Sequence, residues 1–176
     1  MRQRFRKQQS PAAVEAAPQC PYCGRPSVFH MDSSYIYRGQ NYGPVFECEP
    51  CGAYVGAHRA TLLPMGTLAN KPLRILRMQC HKLFDPLYKD LSQAYPEHGR
   101  GLTRPAHNST MRGAARTRAY RWLAAQLNIP LDDCHIAMFR EDRCREVIAL
   151  LTELQPTSAT VRSWSKKGAS HAAANR

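Results

Sequence analysis

The sequence predicts an α+β fold: a small β-rich module, then a compact all-helical module of four to five helices, with disordered basic tails at both ends. Three observations predict it. Two Cys-x-x-Cys-Gly turns, Cys20 to Gly24 and Cys48 to Gly52, bracket short runs rich in aromatic and branched residues. After residue 67 the apolar positions recur at a helical period. Both ends carry basic residues and little that a core would bury. The boundaries that follow are 1–17 for the first tail, 18–66 for the β-rich module, 67–155 for the helical module and 156–176 for the second tail.

Within the β-rich module, residues 27–31 and 34–39 read as strands separated by Asp32-Ser33. Residues 40–43 read as a turn. Residues 44–48 lead into the second cysteine turn as a strand, and residues 53–58 lead out of it as another. Strands this short form a ribbon that cannot hold itself together without a staple.

In the helical module, Leu73, Ile75, Leu76, Met78, Leu83 and Phe84 fit a buried helix over 72–84. Asn70 suits its cap, Pro72 its first turn, and Pro86 ends or bends it. A short helical turn over 86–95 follows, then a loop over 96–109 with Pro96, Gly99, Gly101 and Pro105. The next helix is expected to start near Ser109 or Thr110. It carries two apolar stripes: Tyr120, Leu123, Ala124 and Leu127, and Met111, Ala115 and Trp122. Residues 128–133 break it, and a short helix is expected over Asp132 to Phe139. The last helix runs from about Glu141 to Leu154, with Cys144, Val147, Ile148, Leu151 and Leu154 on its core face. In the second tail, Trp164 beside Lys166 and Lys167 offers a ring for stacking on a base or a partner.

The cysteines carry the strongest chemical signal. Each Cys-x-x-Cys turn brings two thiolates to one ion from a tight loop, and Gly24 and Gly52 stand where the backbone must turn sharply. Two such turns supply four sulfurs in a tetrahedron, the preferred shell of structural zinc. Iron is the chemical rival, and a redox dithiol needs one pair, not two. The reading is one structural zinc on Cys20, Cys23, Cys48 and Cys51, in a zinc ribbon. With four protein sulfurs the site is closed, so it folds the chain and activates no water.

Charge points to the partner. The formal net charge is +12 over 176 residues. From His98 to Leu131 there are six arginines (Arg100, Arg104, Arg112, Arg116, Arg118 and Arg121) and no acid. Such a segment suits nucleic-acid phosphates, with DNA and RNA both open. Tyr35, Tyr37 and Tyr42 offer rings for stacking on bases, although at least one is expected in the ribbon core. His58 is either close to the metal or phosphate, or a plain surface residue.

His81 and Asp85 share a helix face at i, i+4. With His135, and a thiol from Cys134 or Cys144, they could form a second metal site or an acid–base cluster. The plainer reading, preferred, has Asp85 capping the turn at Phe84-Asp85-Pro86 and the histidines bonding between helices. No Ser-His-Asp arrangement, Gly-rich phosphate loop or HExxH motif appears. No apolar run is long enough to span a membrane, and the basic N-terminus has no apolar stretch behind it. An intracellular, cytoplasmic protein with no small-molecule substrate is expected.

The wording of "CPYCG", "CEPCGAYVGAH", "PMGTLANKPLRILRMQCHKLFDPLY", "AYRWLA", "CHIAMF" and "CREVI" resembles an uncharacterised zinc-finger-containing family of bacterial, prophage and phage proteins, a domain of unknown function. The resemblance spans about residues 20–150 and implies a zinc ribbon joined to helices, with the knuckle cysteines at Cys20, Cys23, Cys48 and Cys51. Cys80 departs from the small residue expected before His81. The leading expectation is a zinc-ribbon nucleic-acid-binding protein, phage- or prophage-related by resemblance. The alternatives are an adaptor for a host or phage protein and a nuclease-like metal-dependent enzyme using His81, Asp85 and His135.

Overall fold

The computed structural model describes residues 17–95 and 105–173. The basic N-terminal stretch before Ala17, and Arg100 and Arg104, lie outside the described residues. The chain divides into two units after Ile75.

In the first unit, β1 (Val28–His30), β2 (Val45–Cys48) and β3 (Ala53–Gly56) form an antiparallel sheet in sequence order. The register pairs Phe29 with Phe46 and Phe46 with Val55. Side chains alternate faces along a strand, so this one row falls on a single face. All three residues are buried, and the two phenylalanine rings meet at 5.1 Å. Cys20, Cys48, Ala53, Ala57 and Leu68 complete the core. It is very small, which is why the unit needs a covalent or metal staple.

Residues 34–39, expected as a strand, form turns instead. The Asp32 carboxylate accepts from Ser34 N–H, and Gly39 N–H bonds back to the Ser34 carbonyl. Arg38 and Gly39 both take positive φ. Local Asx chemistry here outweighs the β preference of Tyr35, Ile36 and Tyr37.

Helix α1 spans Lys71–Phe84. Asn70 caps it as expected, its side-chain oxygen accepting from Leu73 N–H at 3.1 Å. In the second unit, α2 (Pro86–Lys89) and α3 (Leu91–Ala94) are single turns. Helix α4 spans Pro105–Gln126, starting earlier than expected, with proline suited to a first turn. Both of its expected apolar stripes are buried. Residues 131–138 contain two short 3-10 turns, Leu131–Asp133 and Ile136–Met138, rather than one helix. Helix α5 spans Glu141–Leu154, with Cys144, Val147 and Leu151 buried and Leu154 exposed.

The C-terminal segment expected as a disordered tail forms α6, Ser158–Ala173. Thr157 and Thr160 cap its start reciprocally, each hydroxyl 3.2 Å from the other's N–H. Ser158 donates to the Leu87 carbonyl at 2.8 Å, and Val161 is buried. Helix α6 packs on α2, α3 and α4. Among the described residues, no helix is long and apolar enough to cross a membrane.

Candidate metal centre

The four predicted ligands converge. Sγ atoms of Cys20, Cys23, Cys48 and Cys51 all lie within 4.8 Å of one another, and those of Cys23 and Cys48 are 3.5 Å apart. Zinc–sulfur bonds of about 2.3 Å in a tetrahedron place sulfurs roughly 3.8 Å apart, so this cluster fits the ion. Cys20 and Cys48 come from the core, Cys51 is half-buried and Cys23 is exposed.

The sequence of each turn explains this geometry. Gly24 and Gly52 have φ of 70° and 57°, the left-handed region. An added Cβ at either would meet nothing within 4 Å, so backbone conformation, not space, selects glycine. Gly24 N–H closes the first turn on the Cys20 carbonyl at 2.8 Å, and Cys20 N–H bonds to the Arg25 carbonyl at 2.8 Å.

Four thiols this close cannot titrate independently. The Arg25 backbone N–H, followed by the Cys51 thiol, lowers Cys23 to about 7. Cys51 is pushed up to about 12, first by Cys23 and then by burial. Burial also raises Cys48, against the backbone N–H of Cys51. A dication relieves this crowding by holding all four sulfurs as thiolates.

The chain matches the model of a zinc-finger-containing domain over residues 16–105 and 106–154. It belongs to that family. No curated protein and no solved structure matches it. As in a zinc-finger-containing domain, the cysteine cluster holds one structural zinc. It is the one group of three or more His, Cys, Asp or Glu ligand atoms close enough to share an ion among the described residues.

The three ribbon tyrosines separate into two environments. None is core: Tyr35, Tyr37 and Tyr42 are 54%, 37% and 66% exposed, the first two in the turns over 34–39 and the third in the segment after them. Tyr35 packs its ring at a tilt against His30 and donates its hydroxyl to Glu47 at 2.8 Å. Burial raises its pKa, then Glu47, with Glu49 and Asp32 also contributing, so its neighbourhood is acidic. Tyr37 instead meets Tyr42 at 4.8 Å and Tyr54 at 5.8 Å, both edge-on. The Arg74 guanidinium lies 3.9 Å over Tyr54 while donating to the carbonyls of Ala69 and Gly52. Arg59 packs against Gly43, next to Tyr42. Burial raises Tyr37 as well, but no carboxylate is among the groups acting most strongly on it. His58 is an exposed turn residue.

The described arginines of α4 do not form one row. At 3.6 residues per turn, Arg112 and Arg116 share one side, and Arg118 and Arg121 share another. Arg112, Arg116 and Arg121 are exposed. Arg118 packs 4.8 Å over Tyr95 and donates to the Ala94 carbonyl.

Of the other candidates, His81 Nδ1 and Asp85 Oδ1 are 3.0 Å apart. Asp85 also accepts from Tyr88 at 2.9 Å and pairs with Lys89 at 2.7 Å. Neither of these two partners was visible as such in the sequence, because both follow Pro86, which restarts the helix. His135 stacks on Tyr120 at 5.9 Å. Cys134 is buried, and burial pushes it up to about 11. Cys80 and Cys144 are also buried, and the Cys80 thiol donates to the Cys144 carbonyl at 3.4 Å.

Proposed function

We propose that this zinc-finger-containing protein binds single-stranded nucleic acid, with zinc folding a ribbon that presents Tyr37 and Tyr42 as the stacking surface. The observation that carries this reading is the Tyr42–Tyr37–Tyr54 cluster, with Tyr37 and Tyr42 exposed, Arg74 over Tyr54 and Arg59 beside Gly43. Exposed rings accept the faces of unpaired bases regardless of sequence, and adjacent cations favour the backbone. The net charge of +12 adds attraction to phosphate. Tyr35, beside Glu47, Glu49 and Asp32, is unsuited to this role. Arg112, Arg116 and Arg121 serve as supplementary phosphate contacts. The zinc, closed by four sulfurs, does no chemistry. The family resemblance suggests a phage or prophage setting, and we read the protein as acting in the cytoplasm.

Salt-titrated anisotropy with labelled single-stranded DNA and RNA tests the reading. Affinity should fall steadily with salt, as counterion release requires. Tyr37→Ala with Tyr42→Ala should cost about 1–3 kcal/mol per stacked base, and Tyr35→Ala nearly nothing. Salt-insensitive binding, or a Tyr37/Tyr42 variant with full affinity, would refute it and favour the adaptor reading.

A further inference from the structure

We propose that the corner where α1 meets α2 is a phosphate-binding site centred on His81. Four observations lead there. First, His81 is oriented: its Nδ1 faces Asp85 at 3.0 Å, which leaves Nε2 as its free nitrogen, and its side chain is 42% exposed. Second, the Asp85 carboxylate already has its partners, meeting His81, Tyr88 and Lys89 at 3.0, 2.9 and 2.7 Å, so it takes little from an incoming anion. Third, an open depression of about 440 Å³ is lined by Met78, His81, Lys82, Asp85, Pro86 and Lys89, and Lys82 has no acidic partner among the described residues. Fourth, Tyr120 is buried, and its hydroxyl finds no acceptor. The Arg116 guanidinium stands 5.1 Å from the Tyr120 ring, and His135 stacks on the same ring.

The balance of charge selects the ligand. His81, Lys82 and Lys89 line the depression with a single carboxylate, and Arg116 and His135 flank the Tyr120 ring. Burial, Arg116 and His81 together keep the His135 imidazole toward its neutral form. That leaves a cationic corner whose N–H donors are Lys82, Lys89 and the Nε2 of a protonated His81, which matches a compact anion with several acceptor oxygens. Phosphate provides these, whether as a terminal phosphate group or as a backbone diester. The site shares no residue with the tyrosine cluster and does not rest on the ribbon's reading, because inorganic phosphate needs no stacked base.

Imidazole proton resonances of the full-length zinc-loaded protein, followed during titration at constant pH and ionic strength, test the proposal. Inorganic phosphate should move His81 and His135 saturably while leaving His30 and His58 of the ribbon in place. Lys82→Gln should weaken the response about tenfold, the scale of one hydrogen bond to a charged group. A 5′-phosphorylated oligonucleotide that moves His81 where its 5′-hydroxyl counterpart does not would assign the site to a terminal phosphate. Equal responses to both would assign it to backbone diesters. No saturable shift with phosphate up to about 10 mM, nor with either oligonucleotide, would overturn the site, even if strands still bound through Tyr37 and Tyr42. Equal movement of all assigned histidines would overturn it as well. Conversely, a phosphate response without strand binding would leave the site standing and remove the ribbon's proposed role.

Discussion

Asp85 concentrates three donors on one carboxylate, and its protonation state follows from that. Burial alone would raise its pKa, but Lys89, His81 and Tyr88 outweigh burial and hold it below the usual carboxyl value of 3.8. A carboxyl with a lowered folded pKa contributes stability that is present above its unfolded pKa and lost as pH falls through the folded one. Asp85→Asn should therefore cost about 1 kcal/mol or more at neutral pH. The gap from the parent protein should stay level down to about pH 4 and then close. Denaturant midpoints measured from pH 7 to pH 2 check this, and a gap that widens in acid would contradict it. At this scale the cysteines were fully legible, because Cys-x-x-Cys spacing alone limits which sulfurs can meet. The i, i+4 relation of His81 and Asp85 was legible too. The role of Tyr35 was not, because its acidic surroundings come from Glu47 and Glu49 across a turn that the sequence did not announce.

At the scale of elements, caps and prolines proved more informative than propensity. Asn70 before Lys71 and Pro86 after Phe84 mark both ends of α1. Asn70→Ala should destabilise by about 1 kcal/mol, readable as a lower denaturant midpoint with zinc content unchanged, whereas an unchanged midpoint would show that the cap is dispensable. Helix α6 was missed because its composition is small and polar, and its signal, Thr157 three residues before Thr160, is brief. The misread strand over 34–39 failed for the opposite reason. Its aromatic and branched residues suit a strand, but Asp32 and the positive φ of Arg38 and Gly39 commit the backbone to turns. That error conceals a point on which the proposed function depends, since the turn over 34–39 sets Tyr37 beside Tyr42.

On the scale of the whole molecule, the two units differ in what holds them. Strands of three and four residues over a small core are marginal in water, and a structural zinc supplies about 10–16 kcal/mol of apparent binding energy to such modules. The helical unit has its own buried residues, including Phe84, Trp122, Leu123, Ile136 and Val147. Both tryptophans, Trp122 and Trp164, belong to it. A zinc chelator should abolish amide protection in the ribbon while leaving tryptophan emission unchanged, and a simultaneous loss of both would show that the units fold as one. The ribbon's dependence on zinc is measured most directly by native mass spectrometry of the protein and of its Cys20→Ser, Cys48→Ser variant. One zinc per chain, lost in the variant together with the ribbon's amide protection, is the predicted result. A chain without zinc that keeps its ribbon, or a variant that still carries a metal, would contradict it.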